Sequence, residues 1–276
     1  MREPMAYLER HLLGTMFLLG ELAHAERRLC ARRPDVLSYD IDGEVRGVCG
    51  FAREGRCLPH LVDGRVVPAI VNDMVSRRVR LISGLADVVG QLLGPLQARG
   101  LWPVEDECET LCQVNPDAFV PFHQGQVRRA TSRDLGVVAE LRTSFEAEYF
   151  CIPRHIISPR WARRIASRYV EDGAYLAEED GEVVSMAAVE VDIPQLSVAA
   201  AVYTRRGWRR RGYARSVVSA LVEDAFRTKP LVALTVRKEN DAAQRAYRAL
   251  GFRAVDVYRF ATLRPAQGSS ATERST

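Results

Sequence analysis

Arginine and glycine crowd into one short segment of this 276-residue chain. Five arginines lie within residues 205–211, and Arg215 follows Gly212 and Ala214. An apolar strand predicted over 196–203 leads into the segment, and an amphipathic helix follows it at once. Free N–H groups at a helix start bind anions, glycine lets a ligand approach the backbone, and guanidinium groups suit phosphates. The segment therefore predicts a site for a pyrophosphate.

The sequence of this segment excludes two common nucleotide-binding loops. Neither G-x-x-x-x-G-K-[ST] nor G-x-G-x-x-G occurs in this segment. Residues 209–214 instead follow the pattern R-x-x-G-x-A.

A second helix is predicted after a strand over 231–236. Asn240 or Asp241 is a suitable cap, and Gly251 is a typical helix stop. An apolar stripe at helical spacing includes Tyr247. Residues 240–252 follow the pattern N-x-x-A-x-x-x-Y-x-x-x-G-F.

These two motifs, in this order and separated by a strand, resemble the acetyl-CoA-binding region of the GNAT N-acetyltransferase superfamily. The resemblance covers about residues 127–265, and the layout is most similar to bacterial members with an extra domain before the acetyltransferase domain. It implies an α/β (α+β) GNAT acyl-CoA N-acyltransferase fold, with a mixed, mostly antiparallel sheet flanked by helices. It also implies acetyl transfer from acetyl-CoA to a primary amine by direct attack in a ternary complex.

The resemblance assigns expected roles residue by residue. Strand 196–203 offers its backbone to the pantetheine arm, the amides of the loop hold the pyrophosphate, and Tyr247 protonates the departing thiolate. Tyr247 is also interpretable as an ordinary core aromatic. The residues expected to contact the coenzyme are Ala201, Val202, Tyr203, Thr204, Arg209, Arg210, Arg211, Gly212, Tyr213, Ala214, Asn240, Ala243 and Tyr247.

The general base is left open by the sequence. Many relatives carry a carboxylate on the fourth strand of the fold, and the strand over 196–203 has none. Glu190 and Asp192 are candidates that act directly or through water. Glu146 and Glu148 are alternatives that could instead bind a cationic substrate, and our catalytic set is Tyr247, Glu190 and Glu148.

The C-terminal half predicts the element order β-α-α-β-β-β-α-β-α-β-β. Asp180-Gly181 predicts a tight hairpin. The predicted bounds before the phosphate loop are 126–129, 132–150, 159–171, 174–179, 182–191 and 196–203, and a last hairpin is predicted over 252–263.

The N-terminal half predicts a fainter version of the same order. One long helix over 4–28 precedes strands at 36–41 and 46–51, joined by Asp42-Gly43. A helix (66–78), a strand (79–85), a helix (87–99) and a strand (109–114) follow. Neither coenzyme motif occurs there. We therefore predict a degenerate GNAT-like domain over 1–114, a linker over 115–126, a catalytic domain over 127–265 and a disordered tail over 266–276.

Charge and cysteine usage bound the partners. Residues 1–126 carry 14 arginines against 17 acidic residues, and residues 127–276 carry 25 basic against 18 acidic residues. The basic excess thus lies in the half with the phosphate loop. The six cysteines lack zinc-site spacing, so no metal is expected. The apolar run 12–20 is too short to span a membrane and fits a core helix better than a secretory signal.

We therefore expect a cytoplasmic N-acetyltransferase. The sequence favours a small molecule over a protein as the acceptor, and it is compatible with a homodimer. No nucleic-acid or membrane partner is expected, because only Trp208 and Tyr213 interleave with the arginines. The alternative is a non-catalytic acyl-CoA-binding regulatory module, which a thiol-release assay distinguishes.

Overall fold

The computed structural model describes residues 2–27 and 33–265. The predicted tail at 266–276 and the predicted helix end at Arg28 lie outside the described residues. In the first part of the chain the elements are α1 (Arg2–Arg10), α2 (Leu12–Arg27), β1 (Asp35–Ile41), β2 (Glu44–Phe51), β3 (Arg56–Leu61), α3 (Val67–Ser76), β4 (Leu81–Leu85), α4 (Ala86–Ala98) and β5 (Leu101–Val114).

The second part begins with the elements that carry the phosphate loop. They are β6 (Gln126–Arg129), α5 (Leu135–Tyr149), α6 (Pro159–Asp172), β7 (Ala174–Glu179), β8 (Glu182–Ile193), β9 (Leu196–Thr204), α7 (Tyr213–Ala225), β10 (Val232–Arg237), α8 (Asp241–Arg248) and β11 (Arg253–Pro265). The mixed, mostly antiparallel sheet flanked by helices is confirmed, since β3–β4 and β9–β10 are parallel whereas most neighbours are antiparallel.

The chain divides into two compact units. Unit 1 contains described residues 2–27, 33–109 and 256–265, and unit 2 is Thr110–Val255. The strand order in unit 1 is β1-β2-β3-β4-β11-β5, and in unit 2 it is β5-β10-β9-β8-β7-β6. Each unit thus includes part of a strand whose remainder belongs to the other.

The hairpin turns form where the sequence predicts them. Asp180 and Gly181 have φ of 51° and 78°, and Asp42 and Gly43 have φ of 54° and 80°. Two successive positive φ values define the turn that matches the twist of antiparallel strands. Both Asp-Gly predictions are therefore confirmed.

The predicted hairpin over 252–263 is wrong. Residues 253–265 form the single strand β11, and Tyr258–Thr262 pair antiparallel with Leu81–Leu85 of β4. Arg259 donates to Asp106 of β5 with Nε–Oδ1 at 2.7 Å. The partners are distant in sequence, so local letters could not reveal them.

The predicted single helix over the N-terminal segment is also wrong. It breaks at His11 into α1 and α2. Thr15 donates from its hydroxyl to the carbonyl oxygens of Leu8 (2.6 Å) and His11 (3.1 Å). Such bonds compete with the helix ladder and bend it.

Strand β3 is missing from the sequence prediction. It contains Pro59, which lacks an N–H group and argues against a central strand. Its parallel pairing with β4 is registered at Arg56 and Cys57, before the proline.

Candidate active site

Strands β9 and β10 meet over a short length only. Their parallel register joins Val232 to Ser197 and Ala233 to Val198. Beyond these pairs β9 bulges, because its register against β8 shifts between Met186 and Ala188 and the buried Ala201 has φ of 50°. A bulge removes backbone groups from the ladder. The described strands therefore leave β9 backbone near Ala201 available to an extended ligand.

The phosphate loop leads directly from β9 into α7. Arg206–Trp208 form a short 3-10 turn, Arg210 has φ of 64°, and Gly212 is the N-cap of α7 with φ of 91°. No described side chain caps this helix, and its first internal bond runs from Ser216 N to Gly212 O at 3.0 Å. The preceding N–H groups lack an intrahelical acceptor, so this end of α7 is suited to an anion.

Gly212 is required by its surroundings as well as by its backbone. A Cβ at this position would lie 3.0 Å from Cε1 of Phe122, in a left-handed conformation that side chains rarely adopt. Phe122 belongs to the segment after β5, where the N–H groups of Phe122 and Gln124 donate to Ser219 (2.8 Å) and Ser216 (2.9 Å) of α7. The glycine thus fits α7 against this segment, a role that the sequence interpretation did not include.

The loop arginines fall into two groups. Arg205 makes two bonds of 2.7 Å to Glu140 on α5. Arg209 donates to the Thr204 carbonyl oxygen at 3.0 Å and to Glu148 at 2.6 Å. These side chains hold the loop in place.

Two other loop arginines remain available for a ligand. Arg211 lies 4.8 Å above the Trp208 ring, and both Arg210 and Arg211 are exposed. Arg210 makes no ion pair with any described residue. The charge that a phosphate would meet comes from this second group.

Glu148 is tied to the loop. Its Oε1 accepts from the hydroxyl of Tyr203 (2.7 Å) and from Nε of Arg206 (3.2 Å), in addition to the bond from Arg209. Burial alone would raise its pKa, but these donors outweigh burial and hold the pKa below the ordinary glutamate value. A carboxylate with a lowered pKa is a weak base.

Glu190 and Glu146 belong to a second acidic group. Glu190 lies at a bulge of β8 and accepts a hydrogen bond from the Tyr169 hydroxyl at 3.0 Å. Glu146 on α5 is buried and pairs with Arg142. Burial raises the pKa of Glu146 and the charge of Glu190 adds to the rise, although Arg142 opposes it. Tyr169 and Arg142 were not identified from the sequence, because no short motif contains them.

Tyr247 lies on the inner face of α8. It is buried, with 7% of its surface exposed, and its ring centroid is 6.0 Å from that of Phe252. Asn240 is the N-cap of the helix, and its Oδ1 accepts from the N–H of Ala243 at 3.1 Å. The predicted cap is confirmed, whereas the catalytic and coenzyme roles of these residues remain predictions.

The corresponding region of unit 1 differs in chemistry. The turn before α3 is capped by Asp63, whose carboxylate accepts from the N–H of Arg65 at 2.9 Å, and Pro68 lies in the first turn of α3. A Cβ at Gly84 of β4 would lie 3.1 Å from the carbonyl oxygen of Pro59 on β3. The Asp63 carboxylate thus accepts an N–H group at this helix start, and β3 and β4 remain close.

Two kinds of site are absent from the described residues. No group of three or more His, Cys, Asp or Glu side chains there is placed to hold a metal ion. No helix within residues 2–27 and 33–265 is long and apolar enough to span a bilayer.

Comparisons with known structures support the fold. A GCN5-related N-acetyltransferase from Kribbella flavida shares 18% identity and a TM-score of 0.60, covering 90% of this chain and 96% of that one. A tandem GNAT protein from the clavulanic acid biosynthesis pathway shares 14% identity and a TM-score of 0.54, covering 92% and 94%. A Drosophila protein shares 11% identity and a TM-score of 0.66, covering 92% and 90%. At these identities the likeness concerns the fold, including the two-domain arrangement.

Comparisons of sequence give a family match and no curated relative. No curated protein matches this sequence significantly. The model of the acetyltransferase (GNAT) family matches residues 138–252, which include α7, β10, α8 and both motifs. Residues 138–252 therefore match a domain of the acetyltransferase (GNAT) family, and this match supports acyl transfer in general.

Proposed function

We propose that this protein is an N-acetyltransferase that moves the acetyl group of acetyl-CoA to a primary amine of a small molecule. The amine attacks the thioester carbonyl directly while both substrates are bound. The family supports acyl transfer, and the donor, the acceptor class and the mechanism are our proposal.

The observation that carries the proposal is a single arrangement at the end of β9. The parting of β9 from β10, the bulge at Ala201 and the uncapped start of α7 follow one another within 16 residues of chain, from Ser197 to Gly212. The bulged backbone suits a pantetheine arm, and the helix start suits its pyrophosphate. We assign backbone contacts to Ala201, Val202, Tyr203 and Thr204.

The remaining contacts with the coenzyme follow from the loop and α8. Amides between Arg209 and Ala214 bind the pyrophosphate, and exposed Arg210 and Arg211 add charge-assisted bonds. Asn240 and Ala243 lie at the start of α8 and are assigned to the pantetheine end. Holding the thioester rigidly supplies much of the rate in a reaction of this type.

Two proton transfers complete the reaction. The attacking amine loses a proton, for which we assign Glu190, acting directly or through water. The thiolate gains one from Tyr247. Glu148 was placed in the catalytic set from the sequence, and its bonds to Arg206 and Arg209 favour a role in positioning the loop instead.

The test is acetyl-CoA-dependent release of free thiol in the presence of a panel of primary amines. We compare wild type with the double variant Arg210→Gln/Arg211→Gln and with Arg227→Gln as a control. Arg227 follows the other end of α7 and is 79% exposed. The double variant should raise the coenzyme KM by roughly 10-fold or more, because each lost bond to phosphate is charge-assisted, and the control should match wild type.

Two outcomes would contradict the proposal. Equal coenzyme KM in the double variant and the control would remove the arginines from the site. Tight coenzyme binding without thiol release for any amine would favour the alternative of a non-catalytic acyl-CoA-binding module.

A further inference from the structure

A separate cavity lies in unit 1, at the end of the sheet where β2 turns into β3. Its volume is about 920 Å³. Its apolar floor includes Phe51 and Val79, which are 9% and 3% exposed. Small-molecule sites commonly have volumes of roughly 300–1,000 Å³ and an apolar lining with a few polar groups. The size and lining therefore suit a metabolite.

The rim of this cavity is basic. It carries Arg33, Arg53, Arg56 and Arg77 against two acidic residues, Asp35 and Glu54. This excess stands out because the first 126 residues of the chain are net acidic. An anion entering the cavity would meet more guanidinium groups than carboxylates.

Two of the arginines are held in position. Arg77 pairs with Asp35 at 2.6 Å, and its guanidinium carbon lies 4.5 Å from the centroid of the Phe51 ring. Arg56 pairs with Glu21 at 3.5 Å. Guanidinium groups fixed in this way lose less rotamer entropy when they bind an anion.

Arg53 is different, because it is exposed and forms no ion pair with any described residue. It precedes Glu54 and Gly55, which have φ of 63° and 78°. Arg53 is thus available on the rim that it shares with Arg77, whose guanidinium group covers the Phe51 ring. A free guanidinium beside a guanidinium plane that lies flat on a ring suits a ligand that joins an anion to a planar ring, because guanidinium groups bind phosphate and stack on ring faces.

We propose that this cavity binds a small metabolite that carries a phosphate group and a planar ring, of the nucleoside monophosphate class. The phosphate contacts Arg53 and the edge of the Arg77 guanidinium group, and the ring packs on the plane of that group, which Phe51 supports from below. The site is independent of the coenzyme site proposed for unit 2.

The probe is AMP, with adenosine and citrate as the two comparison ligands. Binding to the full-length protein is located by hydrogen exchange, which assigns protection to unit 1 or unit 2, and affinity is measured by titration. AMP should protect residues 51–56 and 77–79. Adenosine should bind at least about tenfold more weakly, because it lacks the charge that the arginines recognise.

Three variants test the residues. Arg53→Ala should weaken AMP binding by roughly tenfold, and it removes no described contact, so its folding is not at risk. Arg77→Lys keeps the charge beside Asp35 but loses the planar fork, and it should also weaken AMP binding. Arg65→Ala removes an exposed arginine outside the cavity and should bind AMP like wild type.

The results decide the proposal in both directions. Protection of residues 51–56 by AMP, lost in Arg53→Ala and kept in Arg65→Ala, supports it. Equal binding of adenosine, protection by citrate alone, or no protection of these residues by AMP would overturn it.

Discussion

The hydroxyl of Tyr247 is the single group on which the proposed acid step depends. The side chain is buried on the inner face of α8, so its ring contributes to the core whatever its chemistry. Removing the oxygen alone separates these two roles. Tyr247→Phe keeps the ring and its contact with Phe252.

We expect Tyr247→Phe to lower kcat by about 10²–10⁴-fold, the usual range for loss of a general acid. Stability and coenzyme affinity should change little. The measurement is steady-state kinetics at saturating acetyl-CoA, with Tyr175→Phe as the control, because Tyr175 is a buried tyrosine bonded to Asp224 on α7. An unchanged kcat, where chemistry limits the rate, would return Tyr247 to a purely structural role.

His60 is a residue whose surroundings the sequence did not reveal. It lies on β3, Tyr7 Oη is 2.9 Å from its Nδ1, and the His11 ring stacks on it with centroids 4.7 Å apart. Gly14 makes room for it, since a Cβ there would lie 2.4 Å from Cδ2 of His60. Burial, and secondarily the charge of His11, lower the pKa of His60 to about 4.

This shift predicts a pH dependence of stability. The unfolded chain protonates the imidazole near pH 6.5, whereas the folded protein does so near pH 4. Between these values the unfolded state binds more protons, so the free energy of unfolding falls as the pH falls from about 6.5 to about 4. At pH 5 the loss for unit 1 should be about 1–2 kcal/mol relative to pH 7.

The measurement is the opening free energy of peptides from β2 and β3, obtained by hydrogen exchange at pH 7 and pH 5 with correction for intrinsic rates. His60→Gln should reduce the difference between the two pH values. His155→Gln, at an exposed position, should leave it as in wild type. An equal pH dependence in all three proteins would refute the assignment to His60.

At the scale of elements, the helix starts that follow β9 and β3 differ in whether a carboxylate of the chain itself caps them. The start of α7 is left uncapped by the described side chains, whereas the turn before α3 is filled by Asp63. Removing the Asp63 carboxylate would still leave two differences from α7. Pro68 supplies no N–H group at the start of α3, and β3 stays close to β4. The features that distinguish the start of α3 from the start of α7 are thus spread over several residues.

We therefore predict one acetyl-CoA per chain. Calorimetric titration should give a stoichiometry near 1 for wild type and for Asp63→Ser, because the variant leaves the proline and the β3–β4 approach unchanged. Two coenzymes per chain in wild type would contradict the interpretation of unit 1 as degenerate.

The elements also show which parts of the fold the sequence could predict. β6 and β7 were predicted to the residue, because short strands bounded by strong turn letters depend on local chemistry. β3 was missed because Pro59 resembles a strand breaker. The final strand was divided in two because its partners, β4 and β5, are distant in sequence.

For the candidate site, too, the sequence could predict only the residues that lie within short local motifs. The motif residues of α7 and α8 were identifiable because they lie within two short segments. The groups that hold them were not. Phe122 beside Gly212, Tyr203 bonded to Glu148, and Tyr169 beside Glu190 come from elements tens of residues apart.

At the scale of the whole molecule, unit 2 is one continuous stretch of chain, whereas unit 1 is assembled from segments on both sides of it. Residues 256–265 complete the sheet of unit 1, and residues 110–114 contribute to the sheet of unit 2. The segment 115–125 is also part of unit 2, held by bonds to Ser216 and Ser219 and by Val120 N to Leu250 O at 3.1 Å. A Cβ at Gly251 would lie 1.9 Å from the carbonyl oxygen of Ala118.

This arrangement predicts the effect of a truncation after Val255. The shortened chain lacks the strand that pairs with β4, so Leu81–Leu85 lose their ladder and buried Ala261 and Leu263 leave the core of unit 1. Hydrogen exchange should show fast exchange in β4 and much less change in β8 and β9. A control chain ending at Ala266 should show the same exchange in β4 as wild type. Equally slow exchange of β4 in the chain truncated after Val255 would show that β11 is dispensable.

The late position of residues 256–265 in the chain has a further consequence during translation. The ribosome releases residues 2–109 long before it polymerises residues 256–265, so nascent unit 1 carries an open strand edge throughout the synthesis of unit 2. Exposed edges invite pairing with other chains. The nascent N-terminal part therefore depends on the completion of the polypeptide, and premature termination after Val255 would release a chain whose β4 edge is open to pairing with other strands.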